Sequence, residues 1–101
     1  MLINAVSTLE IEIAECNVSA VKYCVENYIS RFEKMPGCLA YGLTNSALRP
    51  NFWLLSGYWE SKEAMRTHFA ASELNAMIWM IGRRALGVRF SSYFPQTGGE
   101  G

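Results

Sequence analysis

Phe52-Trp53-Leu54-Leu55-Ser56-Gly57-Tyr58-Trp59 is the stretch whose reading decides the fold. In an extended strand successive side chains point to opposite faces. Trp53, Leu55, Gly57 and Trp59 therefore share one face, and Phe52, Leu54, Ser56 and Tyr58 the other. Both faces are largely apolar. An antiparallel sheet covered by helices on one side needs only one such face. The second face calls for a second sheet, most simply that of another copy related by a two-fold axis. The pattern predicts a homodimer through the open sheet face, because a monomer would expose a larger apolar patch than soluble monomers carry.

Upstream, residues 2–13 read as strand one, with Leu9, Ile11 and Ile13 on one face and Glu10 and Glu12 on the other. From Asn17, a candidate cap, the period changes: Val18, Val21, Val25, Tyr28, Phe32 and Met35 make a helical stripe that Pro36-Gly37 ends. Cys38 to Thr44 is strand two, a turn-rich segment from Asn45 to Asn51 follows, and strand three runs from Phe52 to Glu60. Downstream, Ser61 caps a short helix from Lys62 to Phe69, and Ala70-Ala71 forms a joint. Ser72 opens a further helix with Leu74, Met77, Ile78, Ile81 and Ala85 on its buried stripe, and Gly87 stops it. Val88 to Phe94 is strand four. Residues 1–94 are expected to form one domain, and 95–101 a disordered tail. The order β-α-β-β-α-β, with its second helix split, is the α+β ferredoxin-like pattern.

Composition narrows the chemistry. Nine Lys and Arg balance nine acids in 101 residues, and the longest basic cluster is Arg83-Arg84, so neither nucleic acid nor an acidic membrane surface is an expected partner. No apolar run reaches the ~18 residues of a membrane span, and the first residues lack a basic leader region. All nine acids are Glu, and His68 is the single histidine. That leaves no ligand set for a structural zinc and no Asp to orient the histidine of a triad. Cys16, Cys24 and Cys38, an odd count with no CxxC, fit reduced thiols in a cytoplasmic protein. No nucleotide-binding motif occurs.

Three segments carry a family likeness: Met35-Pro36-Gly37-Cys38-Leu39-Ala40-Tyr41-Gly42-Leu43, the strand Trp53 to Trp59, and the run from Trp59-Glu60-Ser61 through His68 to Ser72. In these the chain resembles the antibiotic biosynthesis monooxygenases, small dimeric α+β-barrel proteins. The resemblance implies a dimeric barrel and a monooxygenase that uses O2 on a small aromatic substrate such as a hydroquinone, without a cofactor or metal. The alternatives are a non-catalytic binder of a small apolar or aromatic ligand, an isomerase of another lineage with the same fold, and a dimer with no ligand at all. Haem degradation is excluded: that branch has a Trp where His68 stands and a haem-ligating His near Met77 or Ile78, where none occurs. The polyketide-tailoring branch keeps the Trp that corresponds to Trp59, but its Asn and Tyr correspond to Leu55 and Met65.

The expected pocket lies between the sheet's helix side and the broken second helix, floored by Trp53, Leu55, Gly57 and Trp59. Trp59 is either core or a pocket wall whose N–H seeks a partner. Gly57 leaves room for a flat ligand or for a close-packed helix. His68, beside Met65 and Phe69, is either a structural histidine or the base that takes a phenolic proton. Arg66 is a candidate to hold the resulting phenolate or a solvated surface charge, and Asn4 points either at the pocket or at water.

Overall fold

The computed structural model describes residues 2–95. In order come β1 (Ala5–Ile13), a 3-10 turn (Glu15–Asn17), α1 (Val18–Phe32), β2 (Cys38–Asn45), β3 (Phe52–Trp59), α2 (Lys62–Phe69), α3 (Ser72–Gly82) and β4 (Ala85–Tyr93). The strands form one antiparallel sheet in the order β2-β3-β1-β4. This is the expected α+β ferredoxin-like arrangement with a split second helix.

Alternation decides which side of the sheet the helices cover. Ala5, Ser7, Leu9, Ile11 and Ile13 of β1 are all buried, while Glu10 is exposed. Leu55, Gly57 and Trp59 of β3 continue the same buried face. Val21, Val25 and Phe32 of α1, Met65 and His68 of α2, and Leu74, Met77 and Ile81 of α3 complete the core. Ser61 caps α2 as its position suggests, its Oγ accepting from the Ala64 amide at 3.0 Å. Such a cap contributes about 1 kcal/mol.

Several boundaries depart from the sequence reading. β1 begins at Ala5 rather than residue 2. Asn17 does not cap α1; its side chain donates to the Arg84 carbonyl at 3.2 Å and ties the helix start to the α3–β4 turn. α1 ends at Phe32, so Met35 packs on the core from the turn rather than from the helix. Ser72 does open α3 as expected, following Ala71. Ala85 opens β4 opposite Ile13, and Gly87 lies within that strand. The helical stripe stops at Ile81 because Arg84 already turns the chain, its amide bonding to the Ile81 carbonyl at 2.9 Å. The expected tail lies outside the described residues, apart from Pro95.

The outer face is less apolar than β3 alone suggests. Across the register Phe52 and Leu54 sit beside Glu12 and Glu10, and Glu10 faces Arg89 of β4. The apolar part is at the other end, where Tyr58 and Tyr93 flank Val6.

Gly37 carries a separate constraint. Its φ is +83°, and a Cβ there would lie 2.5 Å from the Ala64 Cβ on α2. Gly37→Ala is expected to lower unfolding stability by about 1–3 kcal/mol. Equilibrium urea unfolding tests this; a midpoint equal to wild type would mean the turn is not held against α2.

Candidate functional site

α2 presents Met65 and His68, three residues apart on one helical face, to the sheet. His68 is wholly buried. Its ring stacks on Trp59, with centroids 4.8 Å apart and planes inclined by 30°, and meets Phe32 edge-on at 4.7 Å. The Tyr41 hydroxyl of β2 lies 2.8 Å from His68 Nε2. Trp59 Nε1 donates to Ser7 Oγ of β1 at 3.1 Å. His68 Nδ1, also buried, has no hydrogen-bond partner among the described residues.

Gly57 is what lets these groups meet. Ser7 and Tyr41 stand opposite it on the two neighbouring strands. A Cβ at Gly57 would lie 2.5 Å from the Tyr41 ring, 2.8 Å from Ser7 Oγ and 2.9 Å from Trp59 Nε1. The space left by the missing side chain is filled by a tyrosine and a serine hydroxyl, neither a ligand nor a helix.

Electrostatics follow from burial. Loss of solvent pushes His68 down from 6.5 to about 4, so the imidazole is neutral at pH 7. Burial first, and then the nearby Cys38, push the Tyr41 hydroxyl up, while Ser7 opposes the shift. Tyr41 stays protonated.

A cavity of about 310 Å³ opens beside this cluster, lined by Phe69 at the end of α2, Leu74, Asn75 and Ile78 of α3, and Phe90, Ser91 and Ser92 of β4. Phe69 connects the two regions: its ring centroid is 6.0 Å from that of His68 and 5.7 Å from that of Phe90. The walls are mainly apolar, with Asn75, Ser91 and Ser92 as the polar residues among them.

The antibiotic biosynthesis monooxygenase family model matches residues 6–78. The chain belongs to that family. A protein of Deinococcus radiodurans assigned to the same family has the same fold at 16% identity, with a TM-score of 0.84 over 93% of this chain and 94% of that one. A conserved protein from Methanosarcina mazei matches with a TM-score of 0.84 at 12% identity, over 93% of this chain and 95% of that one. Rv0793 from Mycobacterium tuberculosis matches with a TM-score of 0.81 at 17% identity, over 94% and 97%. No curated protein matches in sequence.

The structure brings Gly57, Trp59, Met65 and His68 together, with Leu55 buried two residues along the strand. Trp53 is six residues from Trp59, roughly 20 Å along β3. Its Nε1 is enclosed and has no partner among the described residues. Arg66 is exposed on α2. Asn4 is exposed too, and its amide donates to the Glu60 carbonyl at 2.9 Å. None of these eight residues lines the cavity, and His68 is separated from it by Phe69. Sequence reasoning missed Ser7, Tyr41, Asn75 and Phe90. A glycine on the buried face of a strand between large residues was the one available signal for Ser7 and Tyr41. No group of three His, Cys or Glu side chains among the described residues is placed to hold a metal ion.

Two measurements follow from this geometry. Ser7→Ala strands the buried Trp59 N–H, and is expected to cost about 1–3 kcal/mol in urea unfolding; an unchanged midpoint would show that the bond carries no stability. The second concerns pH. His68 binds its proton less readily folded than unfolded, so stability is full above the unfolded value of 6.5 and falls as pH drops towards about 4. That loss amounts to about 3 kcal/mol. His68→Gln should lack it, so its stability relative to wild type should rise as pH falls through this window; parallel curves would show that His68 is not held neutral.

Proposed function

We propose that this protein is a cofactor-independent monooxygenase that oxidises a small, electron-rich phenol or hydroquinone with O2. Membership of the family supports the reaction class, and the cavity at the α2–α3 joint supports a small aromatic substrate. The observation that carries the reading is the single histidine placed directly behind the cavity wall, next to Phe69. The phenol gives its proton to water, the phenolate passes an electron to O2, the two radicals combine at a ring carbon, and the peroxide collapses to a quinone. One oxygen atom enters the ring and the other leaves as water, with the substrate supplying the electrons. The protein's part is to exclude water, orient the ring and hold the phenolic oxygen. Trp59 backs the His68 ring by stacking, and the substrate ring lies against Phe69, Ile78 and Phe90.

The role of His68 as a base, expected from sequence, is disfavoured by its burial. A phenol near 10 facing an imidazole at about 4 leaves roughly six pKa units, or about 8 kcal/mol, against proton transfer. Holding the oxygen by a hydrogen bond carries no such cost. A non-catalytic binder of aromatic ligands is the second reading, favoured by the complete enclosure of His68.

The reading includes a homodimer. Phe52, Leu54 and Tyr58 are only half-buried in the single chain, and β4 exposes Leu86 and Tyr93. It also includes a reducing, cytoplasmic setting, supported by the free thiols Cys16, Cys24 and Cys38.

Oxygen uptake by metal-stripped protein across a panel of hydroquinones, corrected for autoxidation, is expected to scale with protein. His68→Ala should lower it by about a hundredfold. No uptake across the panel would withdraw the oxygenase in favour of the binder, which quenching of tryptophan fluorescence by the same compounds would then detect. Light scattering is expected to give twice the chain mass, and Leu54→Glu a monomer; a wild-type monomer would remove the dimer.

A further inference from the structure

The buried polar groups form a line with one fixed end. Trp59 Nε1 can only donate, so Ser7 Oγ must accept from it. Ser7 shares a row with Tyr41 on either side of Gly57 and opposes the rise of the Tyr41 hydroxyl. Between Tyr41 and His68, 2.8 Å apart, the proton has two possible homes. A phenol is a stronger acid than a neutral imidazole N–H, and an imidazole nitrogen is a stronger acceptor than a phenol oxygen. The hydrogen bond therefore runs from Tyr41 to Nε2. A neutral imidazole carries one proton, so it rests on Nδ1, the buried atom without a partner among the described residues.

We propose that Tyr41 is the positioning residue of His68: by donating to Nε2 it keeps the ring proton on Nδ1, which makes that N–H a donor for the oxygen anion of an ionised phenol entering from the adjoining cavity. This rests on the reading of the site given above and deepens it, since it specifies that the substrate oxygen is held as the anion that reacts with O2, its proton having passed to water. Nδ1 and Nε2 lie on different sides of the ring, so a donor at Nδ1 is free of Tyr41. Phe69, half-buried and forming the shared wall 6.0 Å from the His68 ring, is the side chain that the proposal requires to turn aside to admit the ligand oxygen. No charged group competes for that oxygen from within the cluster. Among the described residues, Phe32 of α1, Trp59 of β3 and Phe69 of α2 are rings against His68, Tyr41 of β2 is its one titratable contact, and Lys62, Glu63 and Arg66 of α2 are exposed.

A single histidine gives one pair of ring-nitrogen signals. Two-bond 1H–15N correlation on labelled, ligand-free protein at pH 7 is expected to show Nδ1 as the protonated nitrogen and Nε2 as the acceptor. The reverse assignment overturns the proposal without any variant being needed. Tyr41→Phe keeps the ring and removes the donor, and should shift His68 towards the Nε2–H form; an unchanged spectrum in a folded variant overturns it as well. For the ligand, 4-nitrophenol is titrated above and below its own pKa while the Nδ1–H signal is followed. The anion should perturb that signal and bind about tenfold more tightly than the neutral form. Equal binding, or a silent Nδ1–H in both states, overturns the donor role. None of these readings requires turnover: failure of oxygen uptake would remove the oxygenase and leave the tautomer standing, and the wrong tautomer would leave oxygen uptake intact.

Discussion

The missing side chain at Gly57 is the constraint on which the site depends. A β-carbon there would occupy the space of the Tyr41 ring, Ser7 Oγ and Trp59 Nε1 together. Three strands supply those groups, and the register sets Ser7, Gly57 and Tyr41 in one row across β1, β3 and β2. Only because the middle of that row is empty can the tyrosine and the serine lean inward over β3 and reach His68 and Trp59. Each donor and acceptor is then buried with a partner, apart from His68 Nδ1, which avoids most of the penalty for polar groups in a core.

The split of the second helix is the other half of the arrangement. α2 is only eight residues long, and its inward face consists of Met65 and His68. The break at Ala70-Ala71 frees α3 to take a separate path, burying Leu74, Met77 and Ile81. Between the end of α2, the first turns of α3 and the edge strand β4 the packing is incomplete, and the cavity forms there. A continuous helix would carry one stripe along one axis. The broken one closes tightly over His68 and leaves space one residue later, at Phe69.

What could be read in the sequence was what one segment expresses by itself. The alternation of Leu9, Ile11 and Ile13 with Glu10 and Glu12 named both the strand and its buried face, and Ser61 named the start of α2. Ala85 misled because it sits four residues after Ile81 and so extends a helical stripe by coincidence, while the turn at Arg84 depends on a backbone bond that side chains do not advertise. Asn17 misled in the same way: its chemistry suits a cap, and its partner turned out to be a distant carbonyl. For the site, Trp59 and His68 were visible as residue types, and Tyr41 was not. Its position opposite Gly57 follows from the pairing of β2 with β3, including the irregularity between Cys38 and Ala40. Cross-strand register belongs to the pair of strands, not to either sequence alone.

The same distinction applies to the outer face of the sheet. β3 taken alone predicts an oily surface, since Phe52, Leu54 and Tyr58 all point that way. Its neighbours change the balance: Glu10 and Glu12 come in from β1, and Arg89 and Ser91 from β4. Glu10 and Arg89 stand directly opposite one another in the register of β1 and β4. A second sheet packed on this face would therefore press on apolar side chains at the Tyr58–Val6–Tyr93 end and on the charged side chains Glu10 and Arg89 further along. Such a surface favours one offset and orientation over others, because sliding the sheets would set Glu10 or Arg89 against Tyr58 and bury an uncompensated charge. Polar residues at one end of an otherwise apolar face thus specify an alignment, at some cost in the apolar area available for burial.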